Sequence, residues 1–243
     1  DSVAHGATPP VALKDALSVV LASPRFLYLY EPQVEQGKRP LSDRELAVRL
    51  SYFLWSAPPD AELYEMASEG RLRDPYVLAA QVDRMIASPK ADLFIETFTT
   101  QWLELERLDL IAPEGTPCNE YDHAVQQASR REVDAFFRTL LREDLPVTNL
   151  GDSEFVTVNS VLADFYGLPG VTGDDYRKVS LPDDSIRGGL LGQSAILTLT
   201  GTGDRTSPVE RGAYVLRKIL HQPPPPAPAN VPMLDEESLG TRS

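Results

Sequence analysis

The sequence predicts a mainly α protein: a compact multi-helix bundle with a small two-stranded β ribbon and a C-terminal polyproline strap. Three observations carry this reading. Apolar residues recur at helical spacing through most of the chain. The segments that hold them open on capping residues, several with proline in the first turn. Only two short stretches, Glu154 to Val158 and Tyr176 to Leu181, read as strand. The expected count is about seven or eight helices.

Thr8-Pro9-Pro10 opens the first helix, with Val11, Leu13, Leu17, Val20 and Leu21 as its apolar positions. Ser42-Asp43-Arg44-Glu45 is a capping box, in which serine and glutamate satisfy each other's backbone amides. Its helix carries Leu46, Leu50, Phe53 and Leu54 at helical spacing. Asp60 and Asp74-Pro75 begin two more segments, the second directing Val77, Leu78, Val82, Met85 and Ile86 inward. Ser88-Pro89 is a corner, since a residue before proline leaves the α region. Another helix follows through Phe94, Ile95, Phe98 and Trp102.

The longest helix is expected from Glu120 to Glu143. Val125, Ala128, Val133, Phe136, Phe137, Leu140 and Leu141 form its buried face, with Arg130, Arg131 and Arg142 outside. After the first strand, Asn159 caps a brief helix that ends at Gly167. Arg187-Gly188-Gly189 leads into an apolar helix, Leu190 to Leu199. A second capping box, Ser207-Pro208-Val209-Glu210, opens the last helix, to about His221. Pro223 to Pro228 then reads as extended polyproline II.

Composition excludes several classes. Against 36 Asp+Glu there are 23 Lys+Arg, a net charge of -13, which opposes nucleic acid binding. Cys118 is the only cysteine, so no intrachain disulfide and no Cys-based zinc site can form. No apolar run approaches the ~20 residues that a membrane-spanning helix needs. The 21 prolines divide between helix starts and the strap.

Motifs with chemistry are few. Glu120-x-x-His123 is the only metal-like spacing and lacks the second such motif of a di-iron bundle, so no metal is expected. Gly192-Gln193-Ser194-Ala195-Ile196 begins like a nucleophile elbow but ends in isoleucine. Asp174-Asp175 and Asp183-Asp184 read as solvated loop pairs, and Glu104 with Asp109 as a candidate acid/base pair near Trp102. The aromatic stripe Tyr52, Phe53, Trp55, Phe94, Phe98 and Trp102 is expected in the core. The richest segment runs from Arg187 to Arg211. There Arg187, Arg205 and Arg211, with Ser207 and Glu210, form a candidate anion or ion-pair site. The favoured reading is structural, with glycines allowing close packing and the arginines tying carboxylates across the core, because the Ser207 to Glu210 box already satisfies the helix amides.

Several strings together resemble a known family. They are Leu21-Ala22-Ser23-Pro24-Arg25-Phe26-Leu27-Tyr28, Arg49-Leu50-Ser51-Tyr52-Phe53-Leu54-Trp55, Asn159 with Tyr166-Gly167, and Arg187-Gly188-Gly189-Leu190-Leu191. Thr206-Ser207-Pro208-Val209-Glu210-Arg211-Gly212 and the strap to Pro232 complete the set. They look like the paired domains of unknown function in large exported planctomycete and myxobacterial proteins that commonly carry c-type cytochrome domains. The resemblance covers about Ala16 to Asp235 and supplies no catalytic residues.

It implies a non-catalytic structural or interaction module of a larger extracytoplasmic, cytochrome-linked protein, of which these 243 residues are a middle part. The implied partners are flanking or partner cytochrome-type domains. Haem c belongs to the flanking segments, with no cofactor in this chain. The alternative is an enzyme domain with its site around residues 187–211: a polysaccharide-active hydrolase, or a redox enzyme using haem from a neighbouring domain. The expected organisation is a helical domain over 1–150, a smaller α+β segment over 151–222, and the strap and polar tail over 223–243.

Overall fold

The computed structural model describes residues 8–28, 39–112, 120–201 and 206–225. These are mainly α, with ten α-helices among them and one two-stranded antiparallel sheet. The count exceeds expectation because the chain adds very short helices such as Pro24–Leu27. The chain divides into two compact units, one of Asp1–Tyr52 with Ala57–Gln81, the other of Phe53–Ser56 with Val82–Ser243.

The first unit contains α1 (Pro9–Leu21), α2 (Pro24–Leu27), most of α3 (Asp43–Trp55), α4 (Ala61–Ser68) and the start of α5 (Pro75–Ala87). Proline opens α1 as the sequence predicts, but none of its residues is buried, so its apolar pattern lacks a covered face. The capping box of α3 forms in both directions. Glu45 N–H donates to Ser42 Oγ at 3.3 Å, and Ser42 N–H donates to Glu45 Oε2 at 2.9 Å. Asp60 caps α4 by accepting from the Leu63 amide. Leu63, Ala67 and Leu72 are buried, and the Arg73 guanidinium pairs with the buried Asp43 carboxylate.

In the second unit, α6 (Ala91–Leu103), α7 (His123–Arg142), α8 (Ser160–Tyr166), α9 (Ser194–Leu199) and α10 (Pro208–Tyr214) join the two strands. The amphipathic α7 is the hub, contacting α6, α8, α9 and β1 (Phe155–Val158). Asp122 caps α7 through the Val125 amide. Glu120 therefore precedes the helix, and the Glu120-x-x-His123 spacing does not share a helix face. β1 is buried along its whole length and pairs with the mostly exposed β2 (Arg177–Ser180), Phe155 opposite Ser180 and Val158 opposite Arg177. One core gathers Ile95, Leu103, Val133, Phe136, Leu190 and Ile196; a second lies around Val158 and Leu162.

Three expectations change here. The apolar segment Leu190 to Leu199 is a tight 3₁₀ turn, Leu190–Gly192, followed by α9, because Gln193 is extended between them. The last helix passes into a π-helical turn at Val215–Ile219. The aromatic stripe is only partly core. Trp55 is buried, with its indole N–H bonded to the Met85 carbonyl, whereas Phe53 is 62% and Phe98 42% exposed. Pro223, Pro224 and Pro225 are exposed; the rest of the strap and the tail lie outside the described residues.

Candidate functional site

The Gly/Arg segment does not converge on one point. Arg187 lies with its guanidinium carbon 3.9 Å from the centre of the Tyr166 ring, a cation–π contact. It also donates to the Gly192 carbonyl at 3.4 Å. Arg211 instead donates to the Thr200 and Thr206 hydroxyls at 3.3 and 3.2 Å. Ser207 Oγ accepts from the Glu210 amide at 3.3 Å, so Ser207, Glu210 and Arg211 form one neighbourhood and Arg187 another. Arg205 lies outside the described residues. Ser207→Ala is expected to cost about 1 kcal/mol through loss of the cap. Thermal unfolding would check this, and an unchanged midpoint would refute it.

The glycines serve close packing. A Cβ on Gly188 would sit 2.8 Å from both the Asp152 carboxylate and the Ser153 carbonyl. One on Gly189 would sit 2.6 Å from the Gly151 carbonyl oxygen. The Gly189 amide donates to Ser153 Oγ at 3.0 Å, so it is already engaged.

Arg187 leads to a cluster that pattern reading passed over. Glu132, in the middle of α7, has no solvent exposure, and one of its carboxyl oxygens, Oε1, has no hydrogen-bond partner. The other, Oε2, lies 2.6 Å from the Tyr166 hydroxyl at the end of α8. That hydroxyl lies 2.9 Å from Ser194 Oγ and accepts from the Ser194 amide at 3.0 Å, at the start of α9. Burial pushes the Glu132 carboxyl up to about 8, against smaller opposing effects of the Tyr166 hydroxyl and the Arg187 charge. Burial and the Glu132 charge raise Tyr166 well above its ordinary value. The adjacent Gln193 also has a buried side-chain oxygen without a partner. A signal existed: Glu132 stands four residues after Ala128 and four before Phe136, on the face the sequence assigns to the core.

The other carboxylates are accounted for differently. Glu104, left-handed at the end of α6, pairs with Lys218 and Arg107, and Asp109 pairs with Arg130. Each therefore answers to a cation instead of to the other. Among the described residues, no three His, Cys, Asp or Glu side chains are placed to hold a metal ion. No helix there is long and apolar enough to cross a membrane. Two grooves are notable. One, of about 500 Å³, is mostly apolar and lined by Ile86, Phe137, Leu140 and Leu145. The other, of about 820 Å³, is polar and lined by Asp152, Glu154, Lys178, Asp183 and Arg187. Glu132 and Ser194 are buried and Tyr166 is half-buried, and none of the three lines either groove.

Comparison with known proteins shows the family. The family model of the protein of unknown function DUF1592, named PSD4, matches residues 41–168, more than half of the chain. The chain belongs to this family. A second model, that of the protein of unknown function DUF1588, named PSCyt3, matches residues 187–243. The DUF1592 chain thus carries paired domains of unknown function in a cytochrome-associated family. No curated protein and no solved structure matches it. Glu132 and Tyr166 fall in the DUF1592 match, Arg187 and Ser194 in the DUF1588 match, so the buried cluster joins the two.

Proposed function

We propose that this chain is a non-catalytic structural or interaction module of a larger extracytoplasmic protein linked to c-type cytochromes, of the kind planctomycetes and myxobacteria export. One observation carries the reading most directly. The segment richest in candidate chemistry, Arg187 to Arg211, spends its groups on internal ties: glycines against Gly151 to Ser153, Arg187 on Tyr166, Arg211 on two threonines. A site built to bind or transform a ligand keeps polar groups aimed at open space, whereas these described glycines and arginines are engaged within the fold. The module's partners are flanking or partner cytochrome-type domains, and haem c belongs to those segments.

The test uses the parent polypeptide and this chain side by side. The parent is expected to show a c-type haem spectrum. The chain alone is expected to bind the purified haem-bearing segments and to release no reducing ends from a panel of polysaccharides. Reducing-end release that disappears in Asp152→Asn or Glu154→Gln, both on the polar groove, would overturn the proposal in favour of a hydrolase.

A further inference from the structure

Among the described residues, Glu132 is the buried acid whose surroundings do not satisfy its charged form. Its Oε1 has no donor, and its Oε2 has only Tyr166. The charged and titratable groups around it can be taken element by element among the described residues. From α8 comes Tyr166, and the start of α9 offers only Ser194 beside Gln193. From β1 comes the Thr157 hydroxyl, which bonds to the Glu132 backbone carbonyl and not to its carboxyl. Tyr176, between the strands, feels the Glu132 charge but gives its proton to the Ala128 carbonyl. The ion pairs of α7 lie elsewhere: Arg138 and Arg142 hold Asp92 of α6, and Arg130 holds Asp109. Of the remaining neighbours on its own helix, Asp134 accepts from Thr99 and Arg131 is exposed. Arg187 is the cation the carboxyl feels, and it rests on the Tyr166 ring and also lines the polar groove.

Proton counting then separates two states. A phenol carries one proton. With Glu132 neutral, the carboxyl donates to Tyr166, Tyr166 donates to Ser194 Oγ, and the Ser194 amide donates back to Tyr166; the chain closes. With Glu132 ionised, Tyr166 must turn its proton to the carboxylate, and Ser194 Oγ then keeps its contact with the phenol only by giving up its own proton to it. A buried carboxylate then stands with one hydrogen bond and with Arg187 acting on it only through its charge and not through a direct ion pair, which the protein interior penalises strongly.

We propose that Glu132 is a proton-operated latch at the junction of the two family domains. It is shut while the carboxyl is neutral and released when the carboxyl ionises, with Arg187 moving off the Tyr166 ring toward the new charge and opening the cluster to the polar groove. The pH range follows from the acid's two environments. Glu132 titrates near 4.5 in the unfolded chain and near 8 in the folded one. Between these values the unfolded chain has given up a proton that the folded chain keeps, so stability falls as pH rises through that interval and is level outside it.

The experiment is hydrogen exchange at the Ser194 amide, corrected for intrinsic rate, on the full chain. Wild-type protection is expected to fall roughly tenfold or more between about pH 6 and about pH 9, as the junction opens. Glu132→Gln, which cannot ionise, is expected to show no such fall. Arg187→Ala removes the charge that favours the carboxylate, so release is expected to shift to higher pH. Independently of any variant, the wild-type infrared spectrum at neutral pH is expected to contain the C=O band of a buried protonated carboxyl, lost at alkaline pH. Equal loss of protection in wild type and Glu132→Gln, or absence of the protonated-acid band, would overturn the latch.

Discussion

Gly189→Ala is expected to cost the protein about 4 kcal/mol, among the largest losses available to a single methyl group. Gly189 has φ +59° and ψ -173°, a region that is essentially closed to residues with a Cβ. The added carbon would meet the Gly151 carbonyl oxygen at 2.6 Å, the Gly151 carbonyl carbon at 2.7 Å and the Asp152 amide at 2.9 Å. All three are backbone atoms, so no rotamer change relieves the contact. Moving the segment aside would break the Gly189 bond to Ser153 and disturb the neighbouring Leu190, which is 1% exposed in the main core. Gly167 is the internal control. It is also left-handed, with φ +72°, but nothing lies within 4 Å of its would-be Cβ. Gly167→Ala should therefore cost only about 1–2 kcal/mol, the conformational part alone. Urea unfolding of both variants decides the matter; losses of similar size would mean that close approach at Gly189 contributes little.

The second large effect is at Tyr214. Its side chain is 1% exposed in the core shared by α6, α7, α9 and α10, and its hydroxyl donates to the Leu103 carbonyl at 3.0 Å. That carbonyl is in the last turn of α6, where intrahelical donors run out. Tyr214→Ala removes a large buried ring and should cost about 3–5 kcal/mol, whereas Tyr214→Phe removes only the hydrogen bond and should cost about 1–2 kcal/mol. Trp102 reports on the same junction, because its indole N–H donates to the Lys218 carbonyl at 2.7 Å. Tryptophan emission should therefore shift in Tyr214→Ala before global unfolding. A small loss for Tyr214→Ala with unchanged emission would show that α10 is not anchored through this residue.

These residues also show how far the amino-acid order reaches. The caps at Ser42, Asp60, Asn159 and Ser207 form with their own helix amides, as local chemistry requires. The ribbon lies within a residue of where alternation and β-branching place it. Helix ends and strand positions depend on neighbours within about four residues, so they are visible without the fold. Periodicity also puts Phe53, Phe98 and Trp55 on apolar faces, yet only Trp55 of these is covered. Helical spacing reports which residues share a side, and says nothing of whether another element lies against it.

The chemically distinctive site was hidden for the same reason. Glu132 meets Tyr166 across 34 residues, and Tyr166 meets Ser194 across 28. Its oddity in the apolar face of α7 was readable, but its partners and its unfilled oxygen were not. The Arg187 to Arg211 segment was read as one neighbourhood because its residues are close in sequence, and folding sends Arg187 to Tyr166 and Arg211 to Thr200 and Thr206. Sequence alone determined the helical class, the caps and the ribbon, because those follow from interactions a few residues long. Only the tertiary structure decided which faces are buried and which buried acid keeps an oxygen without a hydrogen-bond partner, because burial and polar pairing are set by elements distant along the chain.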